Sequence, residues 1–217
     1  MRILIIGPPG AGKGTYAQRL QKLLNLPVIA MGDVLREATT KGDKLGNIIK
    51  KYIAKGQFAP DEIVTAAIRV KLTPLLKTGF ILDGYPRNLH QVAELSKITS
   101  IDAIILLAVP EWLIIERLTA RRICKKCARV YNTRTLKPLT EGVCDECGGA
   151  LYQRADDQPK TIKARLKIFE QQTAPIIEYY RQIHVPFVEH VCSSLETSAD
   201  EGATEIFAKL KTLNFQS

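Results

Sequence analysis

Nine residues constrain this chain more than any others: Gly7-Pro8-Pro9-Gly10-Ala11-Gly12-Lys13-Gly14-Thr15. They follow Arg2-Ile3-Leu4-Ile5-Ile6, a short branched apolar run that reads as a buried parallel strand. Behind them Ala17, Leu20 and Leu24 fall on one helical face, with Gln18, Arg19, Gln21 and Lys22 between. A glycine-rich turn between strand and helix aims several backbone N–H groups, and the positive end of a helix dipole, at one point. Side chains larger than hydrogen would keep a polyphosphate from those donors. Lys13 adds a mobile positive charge for the outer phosphates, and Thr15 a hydroxyl for phosphate or metal. The general pattern has Ser or Thr directly after the lysine; here Gly14 stands there and Thr15 comes one place later. The competing reading, an ordinary glycine-rich turn that binds nothing, leaves the strand, the helix and the placed lysine as coincidences.

Length and charge bound the rest. The chain has 217 residues, 46% hydrophobic and 24% charged, enough for one large domain or a core with small insertions. No apolar run is long enough to cross a bilayer. The first residues are the phosphate strand itself rather than a cleavable leader, and both facts point to the cytoplasm. A net charge of +9 suits nucleic acid, an anionic membrane or small polyphosphates alike. The lysines and arginines are spread along the chain instead of forming one tail or stripe, which favours the last of these.

Strand and helix patterns alternate along the chain. Leu26-Pro27-Val28-Ile29-Ala30 reads as a second strand. Residues 31–60 carry short helical patterns broken at Gly32, Gly42, Gly46 and Gly56, with an apolar stripe at Ile48, Ile49, Tyr52 and Ile53; this predicts a small helical insertion. A longer helix opens at Pro60-Asp61, aligns Val64, Ala67, Ile68, Lys71, Leu72 and Leu75, bends near Pro74 and closes at Gly79. Phe80-Ile81-Leu82 then runs into Asp83, placed at a strand's end to hold Mg²⁺ directly or through water, or alternatively to cap the next helix. Gly84 and Pro86 force a loop that carries Arg87 outward. Residues 101–109 form another buried strand, followed by a helix after Pro110 in which Trp112 is expected to pack. A helix kinked near Pro175, a strand over 185–191 and a helix over 201–213 complete the pattern. His90, His184 and His190 are scattered and read as structural or solvated.

Residues 120–157 interrupt the rhythm with Cys124-Lys125-Lys126-Cys127, sixteen intervening residues, and Cys144-Asp145-Glu146-Cys147. Two such hooks at this spacing suit tetrahedral Zn²⁺, which would stabilise a segment too short to bury a core of its own; an Fe–S centre or bare thiols are the alternatives. Four sulfurs leave no open position, so the site reads as structural, with Lys125, Lys126 and Arg129 offsetting its negative charge. The fifth cysteine, Cys192, stands alone.

The pattern predicts an α/β fold: a P-loop core with a mostly parallel sheet flanked by helices, a small helical insertion and a zinc-ribbon-like lid. Arg36, Arg87, Arg121, Arg122, Arg154 and Arg165 fall near the joints. Phosphoryl transfer needs several fixed positive groups, and a planar guanidinium pairs two oxygens at once.

Four stretches, in order over nearly the whole chain, resemble adenylate kinases: Gly-x-Pro-Gly-x-Gly-Lys-Gly-Thr at 7–15, Gly-Asp-x-Leu-Arg at 32–36, Leu-Asp-Gly-Tyr-Pro-Arg at 82–87 and Arg-x-Asp-Asp at 154–157. The lid cysteines resemble the long, zinc-containing bacterial form. The resemblance implies Mg²⁺-dependent conversion of ATP plus AMP into two ADP by a cytoplasmic monomer that uses neither nucleic acid nor membrane. It implies a core of residues 1–30, 60–120 and 158–217, a monophosphate-binding insertion at 31–59 and a lid at 121–157. For ATP it implies Gly10, Ala11, Gly12, Lys13, Gly14 and Thr15 around the phosphates, Arg117 on the base, and Arg121, Val130 and Tyr131. For AMP it implies Met31, Arg36, Gln57, Phe58, Ala59, Gly84, Tyr85, Pro86, Arg87, Arg154 and Arg165, with Gln91 reading the adenine. Lys13, Arg87, Arg121, Arg154 and Arg165 would be catalytic; Cys124, Cys127, Cys144 and Cys147 would hold zinc. The family usually has Ser-Thr where this chain has Ala30-Met31, which brings UMP/CMP or GMP kinase in as the nearest rival. A zinc-ribbon nucleic-acid-binding ATPase is the rival from another class.

Overall fold

The computed structural model describes residues 1–40, 44–54, 59–195 and 198–213. Its centre is a five-stranded sheet built from β1 (Arg2–Ile6), β2 (Val28–Ala30), β3 (Phe80–Asp83), β4 (Ala103–Ala108) and β8 (Phe187–Val191). The order is β2-β3-β1-β4-β8, and every pairing is parallel. Parallel strands need helical crossovers, so both faces of the sheet are covered.

Alternation along each strand divides the core in two. Leu4, Ile6, Phe80, Leu82 and Ile104 point to one face, against α4 (Asp61–Leu72), α5 (Leu89–Ser96) and α8 (Ala174–Gln182). Ile3, Ile5, Ile81, Ile105 and Leu107 point to the other, against α1 (Lys13–Leu24) and α9 (Ala199–Thr212). Each fully buried Leu or Ile side chain contributes roughly 1.5–3 kcal/mol by leaving water, so this split supplies most of the fold's cohesion.

Two parts stand off the sheet. Helices α2 (Met31–Thr40) and α3 (Lys44–Ala54) pack on each other, with Leu35 and Ile49 buried. Beyond α6 (Glu111–Thr119), β5 (Arg121–Cys124) pairs antiparallel with β6 (Val130–Asn132) and β7 (Leu151–Tyr152) in a separate small sheet. Its apolar cluster is Cys124, Tyr131 and Cys144, with Cys147 and Leu151 beside them; Ile123 is also buried, while Leu139 is 93% exposed.

Several expectations change in detail. Gly79 does close the segment after α4: its φ is +90°, its N–H reaches Leu75 O at 2.9 Å, and a Cβ there would sit 2.2 Å from Met1 O. The helix before it ends at Leu72, and Thr73–Leu75 tightens to a 3₁₀ turn around Pro74. The kink near Pro175 is a wider turn over Phe169–Thr173 between α7 (Pro159–Ile168) and α8, since proline at 175 cannot donate to the ladder. Trp112 is not packed but 55% exposed on α6. Ile48 is exposed where Ile49 is buried. His190 is buried, with its Nε2 3.0 Å from Tyr16 Oη.

Candidate active site

Strand β1 ends inside the sheet, and the glycine turn rises from its carboxyl end into α1. Gly12, which precedes α1, has φ +89°, and Gly10 has φ +82° with Leu118 Cγ only 2.8 Å from where a Cβ would stand. Only glycine adopts both conformations cheaply and leaves the amides bare. Lys13 curls back, donating to Gly7 O at 2.7 Å and Pro8 O at 2.9 Å. Burial, with Arg87, Arg165 and Arg121 nearby, pushes its ammonium down to about 8 against the opposing pull of Asp83.

Asp83 is the last residue of β3 and pairs in register with Ile5 of β1 and Ala30 of β2. Burial raises its carboxyl, opposed by Lys13 and Arg87. It does not cap the following helix: Asn88 does, its Oδ1 accepting from Gln91 N at 2.8 Å.

Arg36, Arg87, Arg154 and Arg165 converge on the same cleft, which encloses about 950 Å³ including its open mouth, while Arg121 and Arg122 are not part of its lining. Gly7, Pro9 and Lys13 line one wall; Gly32, Arg36, Ala59, Gly84, Pro86 and Arg87 a second; Arg154 and Arg165 close it. Burial pushes Arg87 and Arg154 down to about 10 and lowers Arg165, which leaves all three charged at neutral pH but poorly solvated. Arg154 Nε is buried without a hydrogen-bond partner among the described residues. A buried donor of this kind is satisfied by an incoming anion. The other cations are held in place by acceptors. Arg121 forms a two-pronged pair with Asp157 (2.8 and 2.6 Å), and Arg165 bonds Asp156 at 3.0 Å. Arg36 pairs with Asp33, and Arg87 Nε donates to Gly84 O at 2.7 Å.

Other named residues lie elsewhere. Met31 and Tyr85 are buried in the main core. Arg117 donates to Cys192 Sγ at 2.9 Å and Ser194 O at 3.2 Å. Tyr131 is in the small sheet's core with its hydroxyl on Cys144 Sγ, and Val130 is exposed. Thr15 and Gly14 are on the first turn of α1. Gln91 is 1% exposed behind the Arg87 backbone, whose N–H it accepts at 2.8 Å. Gln57 and Phe58 lie outside the described residues. Reading the sequence missed Asp156 and Asp157 as arginine anchors, although both stand in the quoted 154–157 motif. It also missed Phe169 and Thr173, which line the cleft from the wide turn; Thr173 Oγ1 donates to Arg87 O at 2.9 Å, and Pro175, which signals a kink there, says nothing of which side chains it turns toward the cleft.

The four cysteines come together as spaced. Their sulfurs all lie within 4.8 Å of one another, with Cys124–Cys147 at 3.4 Å and Cys127–Cys144 at 3.5 Å. Four sulfurs ~2.3 Å from one tetrahedral Zn²⁺ would be roughly 3.8 Å apart, so the cage fits that ion. Lys126 N–H and Cys127 N–H approach Cys124 Sγ, and the Tyr131 hydroxyl helps hold the Cys144 thiol down at about 6. Donors of this kind suit thiolates. Arg129 does not stand free to offset them: it pairs with Glu146 and lies over the Tyr131 ring.

Comparison with known proteins agrees with this geometry. The adenylate kinase family model matches residues 5–185. The chain is similar to an adenylate kinase of Archaeoglobus fulgidus, 43% identical over 188 residues, covering 84% of this chain and 87% of that protein. It is similar to one of Kosmotoga olearia, 40% identical over 219 residues and covering 98% and 100%, and to one of Syntrophomonas wolfei, 41% identical with 97% of each covered. A phosphate turn, a cationic cleft and relatives matched end to end lead to one conclusion: the chain is a phosphotransferase that belongs to the adenylate kinase family.

Proposed function

We propose that this protein transfers the terminal phosphoryl group of ATP to a phosphate oxygen of AMP, giving two ADP. One observation carries the reading: Lys13, Arg36, Arg87, Arg154 and Arg165 all face one cleft, with Gly7 and Pro9 of the glycine turn in one of its walls. A loose phosphoryl-transfer transition state asks the protein mainly for position and positive charge. Amides of the turn and Lys13 hold the donor; Arg36 and Arg87 hold the acceptor; Arg121, Arg154 and Arg165 bear on the group between them. Mg²⁺ arriving with the nucleotide would neutralise charge on its phosphates. Asp83 suits it, since its carboxylate takes no hydrogen bond from any described residue and faces Gly14. The arms around the cleft, α2–α3 and the small sheet, act as covers over a core of residues 1–30, 60–120 and 158–217. Their closure keeps out water that would otherwise take the phosphoryl group. Zinc in the four-cysteine cage is structural, and the protein works as a cytoplasmic monomer without nucleic acid or membrane. No described helix is long and apolar enough to cross a bilayer.

The acceptor is tested with AMP, CMP, UMP and GMP at equal concentration. AMP should react fastest by at least an order of magnitude; a preference for UMP or GMP would replace adenylate kinase activity with that of the rival kinases. The chemistry also fixes a pH response. Lys13 loses its proton near 8 in the free protein, and a neutral amine grips phosphate poorly. The kcat/KM for ATP should therefore fall as pH rises through about 8. The kcat limb should lie higher, because bound polyphosphate holds the proton on. A flat kcat/KM profile to pH 9.5 would remove Lys13 from the donor site.

A further inference from the structure

The first residue of α4, Asp61, meets three side chains at the start of α5. Gln91 Nε2 donates to Asp61 Oδ1 at 2.5 Å, Asn88 Nδ2 reaches both carboxylate oxygens at 3.1 and 3.0 Å, and His90 Nδ1 lies 3.2 Å from Oδ2. At its other end the same Gln91 carboxamide accepts the Arg87 backbone N–H at 2.8 Å. A carboxylate only accepts and a backbone N–H only donates, so these two partners permit one orientation of the amide. Turning it over would place its oxygen against the carboxylate and its NH₂ against an N–H, breaking both bonds.

We propose that Asp61 sets the base specificity of the monophosphate site by locking the Gln91 carboxamide in that orientation. The inference rests on Gln91 as the reader of the base. One lone pair on Oε1 and one N–H on Nε2 remain unused by the described bonds. A 6-amino purine presents N6–H beside the N1 acceptor and matches an amide held this way round. A 6-keto purine presents O6 beside N1–H and matches only the flipped amide. Discrimination between the two is thus stored in the amide's anchors rather than in the shape of the pocket. Residues 30 and 31 do little to help: Ala30 carries no hydroxyl, and Met31 is packed in the core. Asp61 is a positioning residue, acting through Gln91.

IMP is the fitting probe, because it differs from AMP only at positions 6 and 1 of the ring. In Asp61→Asn the shape is kept, but one anchor no longer demands a donor. Losing one charge-assisted bond corresponds to a factor of about ten or more. The ratio of kcat/KM for AMP over IMP should fall at least tenfold, through KM of the monophosphate, with the KM for ATP unchanged. Asp61→Glu, which still only accepts, should restore part of the ratio. Should Asp61→Asn not fold, Asp61→Ser reads the same ratio. A purely structural Asp61 would weaken AMP and IMP alike, and an unchanged ratio overturns the lock. Gln91→Leu separates the two claims: if it collapses the ratio while Asp61→Asn does not, the lock is wrong and the base reader stands. If Gln91→Leu leaves the ratio intact, Gln91 does not read the base and both fall.

Discussion

Lys13→Met lowers kcat by on the order of 10³-fold or more while leaving the fold intact. The substitution removes the one ammonium that the glycine turn holds at the cleft, and Arg87, Arg121 and Arg165 cannot take its place, since each is anchored to its own acceptor. Single preorganised donors at a developing charge contribute about 10²–10³ in rate, and cations at a transferring phosphoryl group up to about 10⁵. Stability moves little, for two opposing reasons. Burial lowers the Lys13 pKa from 10.5 to about 8, so charging it costs the free protein on the order of 3 kcal/mol. Against that, Gly7 O and Pro8 O lose their donor, at roughly 1–3 kcal/mol in total for groups that water can still reach. The net shift in Tm should be a few degrees at most, read by calorimetry beside the rate. Between pH 8 and 10.5 the unfolded chain keeps a proton that the folded one has released, so native stability gains with rising pH there, and Lys13→Met should lack that gain. A variant with kcat within tenfold of the parent would sink the assignment.

Metal removal acts on the opposite property. Stripping the four-cysteine cage, by chelation or by Cys144→Ser, should lower Tm by about 10 °C or more and leave turnover at low temperature nearly unchanged. Besides Ile123, Tyr131 and the cysteines themselves the small sheet buries almost nothing apolar, and Leu136, Leu139 and Val143 face water. Structural zinc supplies roughly 10–16 kcal/mol of binding energy in small peptides. If only ~4 kcal/mol of this couples to unfolding of the whole chain, a protein of this size loses about 8–16 °C. Metal analysis of the same sample should return one zinc per chain. Iron with sulfide, or loss of turnover at constant Tm, would overturn the structural role.

How far these residues were legible depends on how local their signals are. The phosphate turn, the strand before it and the helix behind it are adjacent in sequence, and their geometry follows from glycine, branched residues and a 3.6-residue period. The cysteine hooks are two short turns whose partner is each other. Even the division of the core is written into the strands, because alternation sends Ile3 and Ile5 one way and Leu4 and Ile6 the other. Periodicity says that a residue is buried; it does not say against what. Met31 and Tyr85 sit within motifs that suggest a nucleotide pocket, yet their side chains turn into the core. Tyr131 turns from the cleft to a cysteine, and Arg117 bonds a sulfur 75 positions away.

What the order of residues determined by itself is therefore the α/β class, the anion-binding turn, the metal-binding hooks and the family of motifs that names the reaction. What only the tertiary structure decided is the company those groups keep: Asp157 under Arg121, Thr173 on the Arg87 carbonyl, Asp61 across from Gln91. The physical reason is that backbone conformation and amphipathic pattern are set by neighbours within a few positions. A hydrogen bond between residues 30 to 90 positions apart exists only after the sheet has set its strand order and the helices have packed upon it.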